Sequence, residues 1–192
     1  GWPKSNQGRI YSVTPKNPSA ADAALVAEVK ALIGGGILSA SDAELLELIG
    51  HVDQRVRLRA QYELAERGPA HIDALTSLAA DSSAERLHRL HALWTLGMLQ
   101  RSDDQALASL PALLTDADRE VRAQAAKLAG DHGLAATGST LIELLEDDAA
   151  RVQFFAAQSL GKLDDAAAGA ALVELLRRND NEDKYLRHVA AH

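Results

Sequence analysis

One arrangement of apolar and polar positions recurs along the chain, with alanine and leucine spaced to line one face of a helix. Its clearest copy covers residues 121–130, VRAQAAKLAG, and follows Asp118. Copies start at positions 56, 88, 121, 152 and 186, which are separated by 32, 33, 31 and 34 residues. A period of this length is typical of solenoids, in which each unit buries its apolar face only against neighbouring units.

The period predicts an all-α, right-handed superhelix of antiparallel helix pairs with an extended N-terminal tail. Each unit is expected to contain a first helix with the Val-Arg motif, a turn and a leucine-rich second helix. The predicted units are about 19–50, 51–80, 81–115, 116–147 and 148–178, with a truncated unit at 179–192 after which we expect the natural chain to continue. The second helices are predicted at about 69–80, 103–115, 138–146 and 166–178. Pro111 is expected to kink its helix or delay its start.

Residues 1–18 lie outside the period and form the predicted tail. Residues 9–13 alternate like a short strand, and Trp2 or Tyr11 is expected to anchor the tail on the solenoid. A helix is predicted from Ser19 to about Ile33, and the three glycines at 34–36 should end it. Residues 41–44 form a capping box that should open a second helix.

An acid and an arginine four residues apart recur in phase with the period. The acid is expected to cap the helix, and the arginine to reach that acid and the acid of an adjacent unit. We call this predicted set the arginine ladder. An anion-binding stripe is the alternative, but packing is favoured because the residues follow the packing period. The fourth unit has Ala149 and Gln153 and should be a gap. The ladder pairs are Asp53 and Arg57, Glu85 and Arg89, Asp118 and Arg122, and Asp183 and Arg187.

Charge and composition exclude several classes of site. The chain has a formal net charge of −7, which disfavours nucleic-acid binding, because nucleic-acid binders normally carry a basic face. It has no cysteine, which excludes disulfides, thiolate zinc sites and covalent haem attachment within this chain. No apolar run approaches the ~20 residues of a membrane span.

Few residues suggest catalytic or metal chemistry. His88 and His91 lie three residues apart on a helix, with Glu85 one turn before His88, which is an acceptable spacing for metal ligands, but a structural role is favoured because no further ligand is indicated. The Asp pairs at 103–104, 147–148 and 164–165 fall at turns and lack EF-hand spacing. Trp94 marks either a partner contact or, at its helical spacing, a core position. No phosphate-binding loop, nucleophile elbow or dinucleotide fingerprint is present.

The motif Asp-x-x-Val-Arg-x-x-Ala-Ala followed by Leu-Gly resembles the HEAT repeat and its short bilin-lyase-like variant, over residues 42–192. The segments GWPKSNQGRIYSV and LLELIGHVDQRVRLRAQYELAERG resemble a junction in the PVC-type membrane-bound dehydrogenases, a haem-binding bacterial family. Residues 183–190 resemble a phrase from the repeat region of that family. The resemblance implies a preceding β-propeller, of which 1–18 would be a remnant, and a following c-type cytochrome. This chain contains neither part.

The sequence therefore predicts a non-catalytic scaffold for contacts with a protein partner or with adjacent domains. No catalytic residue, metal or cofactor is predicted in this chain, nor contact with nucleic acid or membrane. The family resemblance implies a periplasmic or cell-envelope location. A bilin-lyase-like enzyme and a nucleic-acid-binding helical-repeat protein are the alternatives. The second helices are expected to line the concave side, with candidate contacts at Glu44, Glu47, Asp73, Glu143 and Glu146.

Overall fold

A computed structural model describes residues 16–191, and within this range the chain is helical, with turns between the helices and no strand. The predicted strand at 9–13 and the anchors Trp2 and Tyr11 lie outside the described residues. The α-helices of this range are α1 Ala20–Ala31, α2 Ile37–Ser39, α3 Asp42–Leu48, α4 Gln54–Arg67, α5 Ile72–Ala80, α6 Arg86–Leu99, α7 Leu110–Leu113, α8 Arg119–Asp131, α9 Gly138–Glu143, α10 Ala150–Leu163, α11 Gly169–Asn179 and α12 Lys184–Ala191.

Two kinds of helix alternate after α2. We call α4, α6, α8, α10 and α12 the Val-Arg helices, because each begins with the recurring motif, and α3, α5, α7, α9 and α11 the leucine-rich helices. Each leucine-rich helix packs mainly on the Val-Arg helix that follows it in the chain. The predicted order within a unit was therefore wrong by half a repeat. The short turn before each Val-Arg helix joins the two members of one antiparallel pair, so α12 pairs with α11 rather than opening a truncated unit.

The N-terminal region has both the helix caps and the helix break that the sequence predicts. Ser19 and Ser41 both close capping boxes, the first with Asp22 and the second with Glu44. The three glycines interrupt the first helix as predicted, because the segment after α1, Leu32–Gly36, contains a kink with non-helical backbone angles before α2 begins. Gly35 has a φ of 137° and bends the helix there. The glycines therefore break the first helix, and the short α2 that follows packs against α4.

The leucine-rich helices are short and begin with tight turns. Short 3-10 segments precede or extend them at Pro69–His71, Ala135–Thr137, Leu144–Glu146 and Ala166–Ala168. The predicted helix at 103–115 is reduced to α7, which has Pro111 in its first turn. The late start predicted from Pro111 is therefore confirmed, since proline lacks the N–H that an earlier turn would need.

The core is a continuous strip between the two kinds of helix. Its fully buried side chains include Leu45, Leu64, Leu75, Leu96, Leu110, Leu141 and Leu145. Successive Val-Arg helices contact one another directly, whereas successive leucine-rich helices scarcely do. When neighbouring helices are closer together on one side of a stack than on the other, the stack curves and the closer side becomes concave. The Val-Arg helices therefore form the inner face, and the prediction that the leucine-rich helices line the concave side was wrong.

Candidate functional site

The ladder arginines bind the turn before their helix rather than the acid that caps it. Arg57 Nη1 donates to His51 O over 2.7 Å, and Arg122 Nη1 donates to Asp116 O over 2.8 Å. In both cases the carbonyl lies two residues before the capping acid. Helical side chains point towards the N-terminus, so an arginine in the second turn reaches past the cap.

The capping acids are occupied elsewhere, so the predicted acid–arginine pairs within one unit were wrong. Asp53 accepts from the Arg55 backbone N–H and forms an ion pair with the Arg55 side chain. Asp118 caps α8 through the Glu120 N–H and pairs with Arg86. The other two ladder acids do not bind their arginines either. Asp183 accepts from the Tyr185 and Leu186 N–H groups, while Arg187 reaches Asn181 instead. Glu85 caps α6 without a side-chain hydrogen bond.

Two of the arginines also reach an acid in the next unit. Arg89 Nη2 lies 2.5 Å from Asp116 Oδ2, and Arg122 donates through Nε to Asp147 Oδ2 over 2.7 Å. At the fourth unit Gln153 keeps the bond to the turn, from Nε2 to Asp147 O, but a neutral amide cannot form an ion pair. The gap predicted there is therefore electrostatic, while the local bond to the turn is preserved.

Arg57 has a different cross-unit partner, His91. The Arg57 Nε–H donates to His91 Nε2 over 3.1 Å, and the opposite ring nitrogen lies 2.7 Å from Gln61 Oε1. Because Nε2 accepts, Nδ1 carries the proton and donates to Gln61. The Gln61 amide in turn contacts Met98 Sδ at 3.4 Å. Burial, followed by the charges of Arg57 and His88, lowers the pKa of His91 to about 4, so the ring is neutral at pH 7.

The histidine pair considered as a metal site serves structural roles. His88 Nε2 lies 2.6 Å from Leu46 O, and both nitrogens of His91 are hydrogen-bonded. In the part of the chain that the structure describes, no three His, Cys, Asp or Glu side chains are grouped as metal ligands. The same residues contain no helix long and apolar enough to cross a bilayer.

A groove of about 970 Å³ crosses the inner face above this network. We call it the α4–α8 groove, because residues near the C-terminal ends of α4, α6 and α8 line it. Tyr62, which is 50% exposed, forms one wall, and the half-buried Trp94 and Met98 form the floor. Leu128 and His132 close the far side. The groove combines aromatic, thioether and aliphatic surface with polar edges, as binding sites for proteins do.

The floor of the groove is held in place from below. Trp94 Nε1–H donates to Gln124 Oε1 over 3.0 Å, and its ring meets the His91 ring edge-on with centroids 5.0 Å apart. Gln61, which is 6% exposed, holds Met98 through its amide. A surface whose side chains are already fixed loses little conformational freedom when it binds a partner.

The size of one side chain explains why the groove opens here. The tight approach between α8 and α10 places Gly130 against Ser159. A Cβ added at Gly130 would lie only 2.6 Å from Ser159 Cα, so only glycine fits there. At the equivalent position between α6 and α8, Gly97 faces Leu128 instead. The larger side chain holds α8 away from α6 and leaves the space above Gly97 open. The groove therefore follows from leucine at 128 where the next unit has serine.

The five acidic residues predicted as concave contacts do not line this groove. Glu146 pairs with Arg178 over 2.9 Å. The other four are Glu44, which completes the capping box of α3, and the exposed Glu47, Asp73 and Glu143. All five belong to the leucine-rich segments, and their placement follows the correction to the inner face.

Sequence reasoning found only part of the groove. Trp94 was recognised as either a core residue or a partner contact, and in the structure it is half-buried on the floor of the groove. Tyr62, Met98, Arg101 and His132 were missed, because each stands at a different position in its unit and no periodic signal marks it. One signal in the sequence could have identified part of the groove. It is an aromatic or thioether side chain at a position where other units carry small or charged residues.

Comparison with known proteins identifies the repeats. The family model described as HEAT repeats matches residues 43–127 and 107–192. No curated protein matches the chain.

Three solved structures are similar to the chain. The crystal structure of an engineered protein is 23% identical, over 78% of this chain and 76% of the other, with a TM-score of 0.47. The CpcE–CpcF complex of phycocyanin lyase from Nostoc sp. is 21% identical over 79% and 74%, with a TM-score of 0.39. YibA of Escherichia coli is 19% identical over 92% and 75%, with a TM-score of 0.41. At this level of similarity they carry no functional information about the chain.

Proposed function

Because the chain belongs to the HEAT-repeat family, we propose that it is a non-catalytic scaffold that holds a protein segment in the α4–α8 groove. The observation that carries this proposal is the groove itself. It places Tyr62, Trp94 and Met98 on one open surface of about 970 Å³, and residues of these types are enriched where proteins meet. Its floor is fixed by Gln61 and Gln124 before any partner arrives.

The proposal can be tested by selecting peptides against the purified chain. A phage-displayed library of random dodecapeptides is enriched on the wild-type protein, and the resulting peptides are assayed by fluorescence anisotropy. Tyr62→Ala and Met98→Ala should each weaken their binding about tenfold, as expected for a side chain at the centre of a contact. Val173→Ala is the matched control, because Val173 is 47% exposed on α11, outside the groove.

A selection that yields no binding peptide would count against the proposal. So would equal losses in the groove variants and in Val173→Ala, since the contact would then lie elsewhere. Urea midpoints of all three variants identify any loss of binding that is caused by unfolding.

The chain is further proposed to set the distance between two domains of a larger periplasmic redox protein. The support is the resemblance of residues 1–13 and 183–190 to the PVC-type dehydrogenase family. Stacked helices advance by about one helix diameter, ~10 Å, per unit, so a solenoid fixes a separation that a flexible linker cannot. Under this proposal the chain itself holds no cofactor, and haem and dehydrogenase chemistry belong to the flanking domains.

This second proposal has its own test. The purified chain is mixed with haem, and separately with sugar substrates and a reducible dye. The expected result is neither a Soret shift nor dye reduction. Either signal, retained after removal of residues 1–18, would show that the repeats themselves carry chemistry. The alternatives have separate readouts: a bilin lyase would transfer phycocyanobilin to phycocyanin, and a nucleic-acid binder would be retained on heparin in a salt-dependent way.

A further inference from the structure

The charges at the edge of the α4–α8 groove indicate what kind of segment it takes, and this step rests on the function proposed above. Glu66 stands on the α4 side and Arg101 follows the C-terminal end of α6, and both line the groove and are exposed. Within residues 16–191 neither side chain forms an ion pair or a hydrogen bond. The groove therefore offers one uncompensated carboxylate and one uncompensated guanidinium.

The other ionisable groups of the groove are already compensated or neutral. Asp131 accepts from both Lys127 and Lys162. Burial lowers the pKa of His132 and outweighs the opposing charge of Asp131, so its imidazole is neutral at pH 7. Glu66 and Arg101 are thus the two charges of the groove left to a partner.

The positions of these charges set the spacing that a partner must match. Glu66 lies in α4 and Arg101 directly follows α6, and neighbouring packed helices lie 8–10 Å apart. An extended chain covers that distance in about three residues. The apolar floor of Trp94 and Met98 belongs to α6 and lies between Tyr62 of α4 and Leu128 of α8. A segment along the groove would therefore place its apolar side chains on this floor, with its charges at the edge.

We propose that the α4–α8 groove binds a polypeptide segment in which a basic and an acidic residue, about three positions apart, flank a large apolar side chain. The basic residue pairs with Glu66, the apolar side chain packs on Trp94 and Met98, and the acidic residue pairs with Arg101. A nucleic acid does not fit this description, because a polyanion has no cationic group for Glu66 and would be repelled by that carboxylate.

The test uses three peptides and three forms of the full chain. The peptides have blocked termini and the sequences Gly-Lys-Leu-Phe-Glu-Gly, Gly-Lys-Leu-Phe-Lys-Gly and Gly-Glu-Leu-Phe-Glu-Gly. The proteins are the wild type, Arg101→Glu and Glu66→Arg. The wild type should bind the mixed-charge peptide about fivefold more tightly than the other two, a size typical of exposed ion pairs. Arg101→Glu should instead prefer the two-lysine peptide, and Glu66→Arg the two-glutamate peptide.

The design does not depend on the direction in which a peptide lies, because each peptide is judged by its charges. One ranking shared by all three proteins would overturn the inference. If binding still requires Tyr62 while the ranking ignores Glu66 and Arg101, the proposed scaffold function stands and only this inference falls. Heparin retention by the wild type that Arg101→Glu abolishes would point to a polyanion and would also overturn it.

Discussion

The α8–α10 interface and the α4–α8 groove are built from the same repeated helix, yet one is closed and the other open. Between α8 and α10 the backbones approach at Gly130 and Ser159, and Ser159 Oγ donates to Ala126 O over 2.7 Å. Ion pairs tie the two helices together near both ends, from Arg151 to Glu120 and from Lys162 to Asp131. Nothing larger than a hydroxyl separates the helices at their closest point.

Across the groove, polar links lie below the surface and the space above them is open. Arg57 and Gln61 of α4 both reach His91 of α6. Leu128 takes the place that serine has in the next unit and holds α6 and α8 apart at Gly97. The difference shows that a repeat of this kind yields either a packed interface or an open groove, according to one side chain per interface.

The largest expected effect comes from filling the closed interface. Gly130→Ala should destabilise the chain by about 3 kcal/mol, because the new Cβ would lie 2.6 Å from the Ser159 backbone and the helices must separate. Gly97→Ala is the matched control and should change stability by less than about 1 kcal/mol, since the close contact of its Cβ, at 2.7 Å, is with the flexible end of the Leu128 side chain. Urea denaturation measures both. Equal losses would contradict the difference drawn between the two interfaces.

The second effect comes from the cross-unit ion pair. Arg122→Ala should cost about 2–3 kcal/mol, because Asp147, whose side chain is 6% exposed, would lose its charged partner. Gln153→Ala removes a neutral bond to a turn and should cost about 1 kcal/mol. The two denaturation midpoints are compared under the same conditions. A Gln153→Ala loss as large as that of Arg122→Ala would show that the cross-unit pair adds nothing.

The sequence predicted the repeat but not its division into pairs. The period follows directly from Val56, Val121 and Val152, since core positions must recur with the packing unit. The pairing was mistaken because each Val-Arg helix has one leucine-rich helix before it and another after it in the chain. The period is the same whichever of the two is its partner. The length of the Asp-capped turns indicates which helices form a pair. These turns are too short to separate two units, so the helices that they join must pack together.

The site was harder to predict, because it depends on departures from the repeat. The acid and arginine positions are periodic, and their side chains close turns, as the bonds from Arg57 and Arg122 show. Leu128 looks like an ordinary core leucine, and only its contact with Gly97 reveals that it spaces two helices. Contacts between units decide where the surface opens, and these contacts do not follow from spacing within one helix.

The pH dependence of stability tests the polar network under the groove. The folded pKa of His91, about 4, lies below its usual value near 6.5, so the unfolded chain binds more protons between these values. Stability is therefore full above pH 6.5 and is lost as the pH falls towards 4. His91→Gln keeps a donor and an acceptor but cannot titrate. Between pH 7.5 and 4.5 the unfolding free energy of His91→Gln should therefore fall by about 2 kcal/mol less than that of the wild type.

Urea midpoints across this range give the measurement for the wild type and His91→Gln. Aspartates with lowered pKa values lose their contribution mainly below pH 4, so they do not obscure the window. The lowered pKa of His132 acts in the same direction and remains in both proteins. Parallel curves for the two proteins would mean that His91 is not held neutral by Arg57 and its burial.

The smallest expected effect separates a compensated charge from an uncompensated one. Lys162→Met removes one of the two lysines on Asp131 and should cost about 0.5 kcal/mol at low salt, as exposed pairs do. The loss should vanish in 1 M salt, where the screening length is only about 3 Å. Glu66→Gln should leave the urea midpoint unchanged at both salt concentrations, because Glu66 has no ion pair within residues 16–191. A loss of stability in Glu66→Gln would show that this carboxylate belongs to the folded scaffold and is not left for a partner.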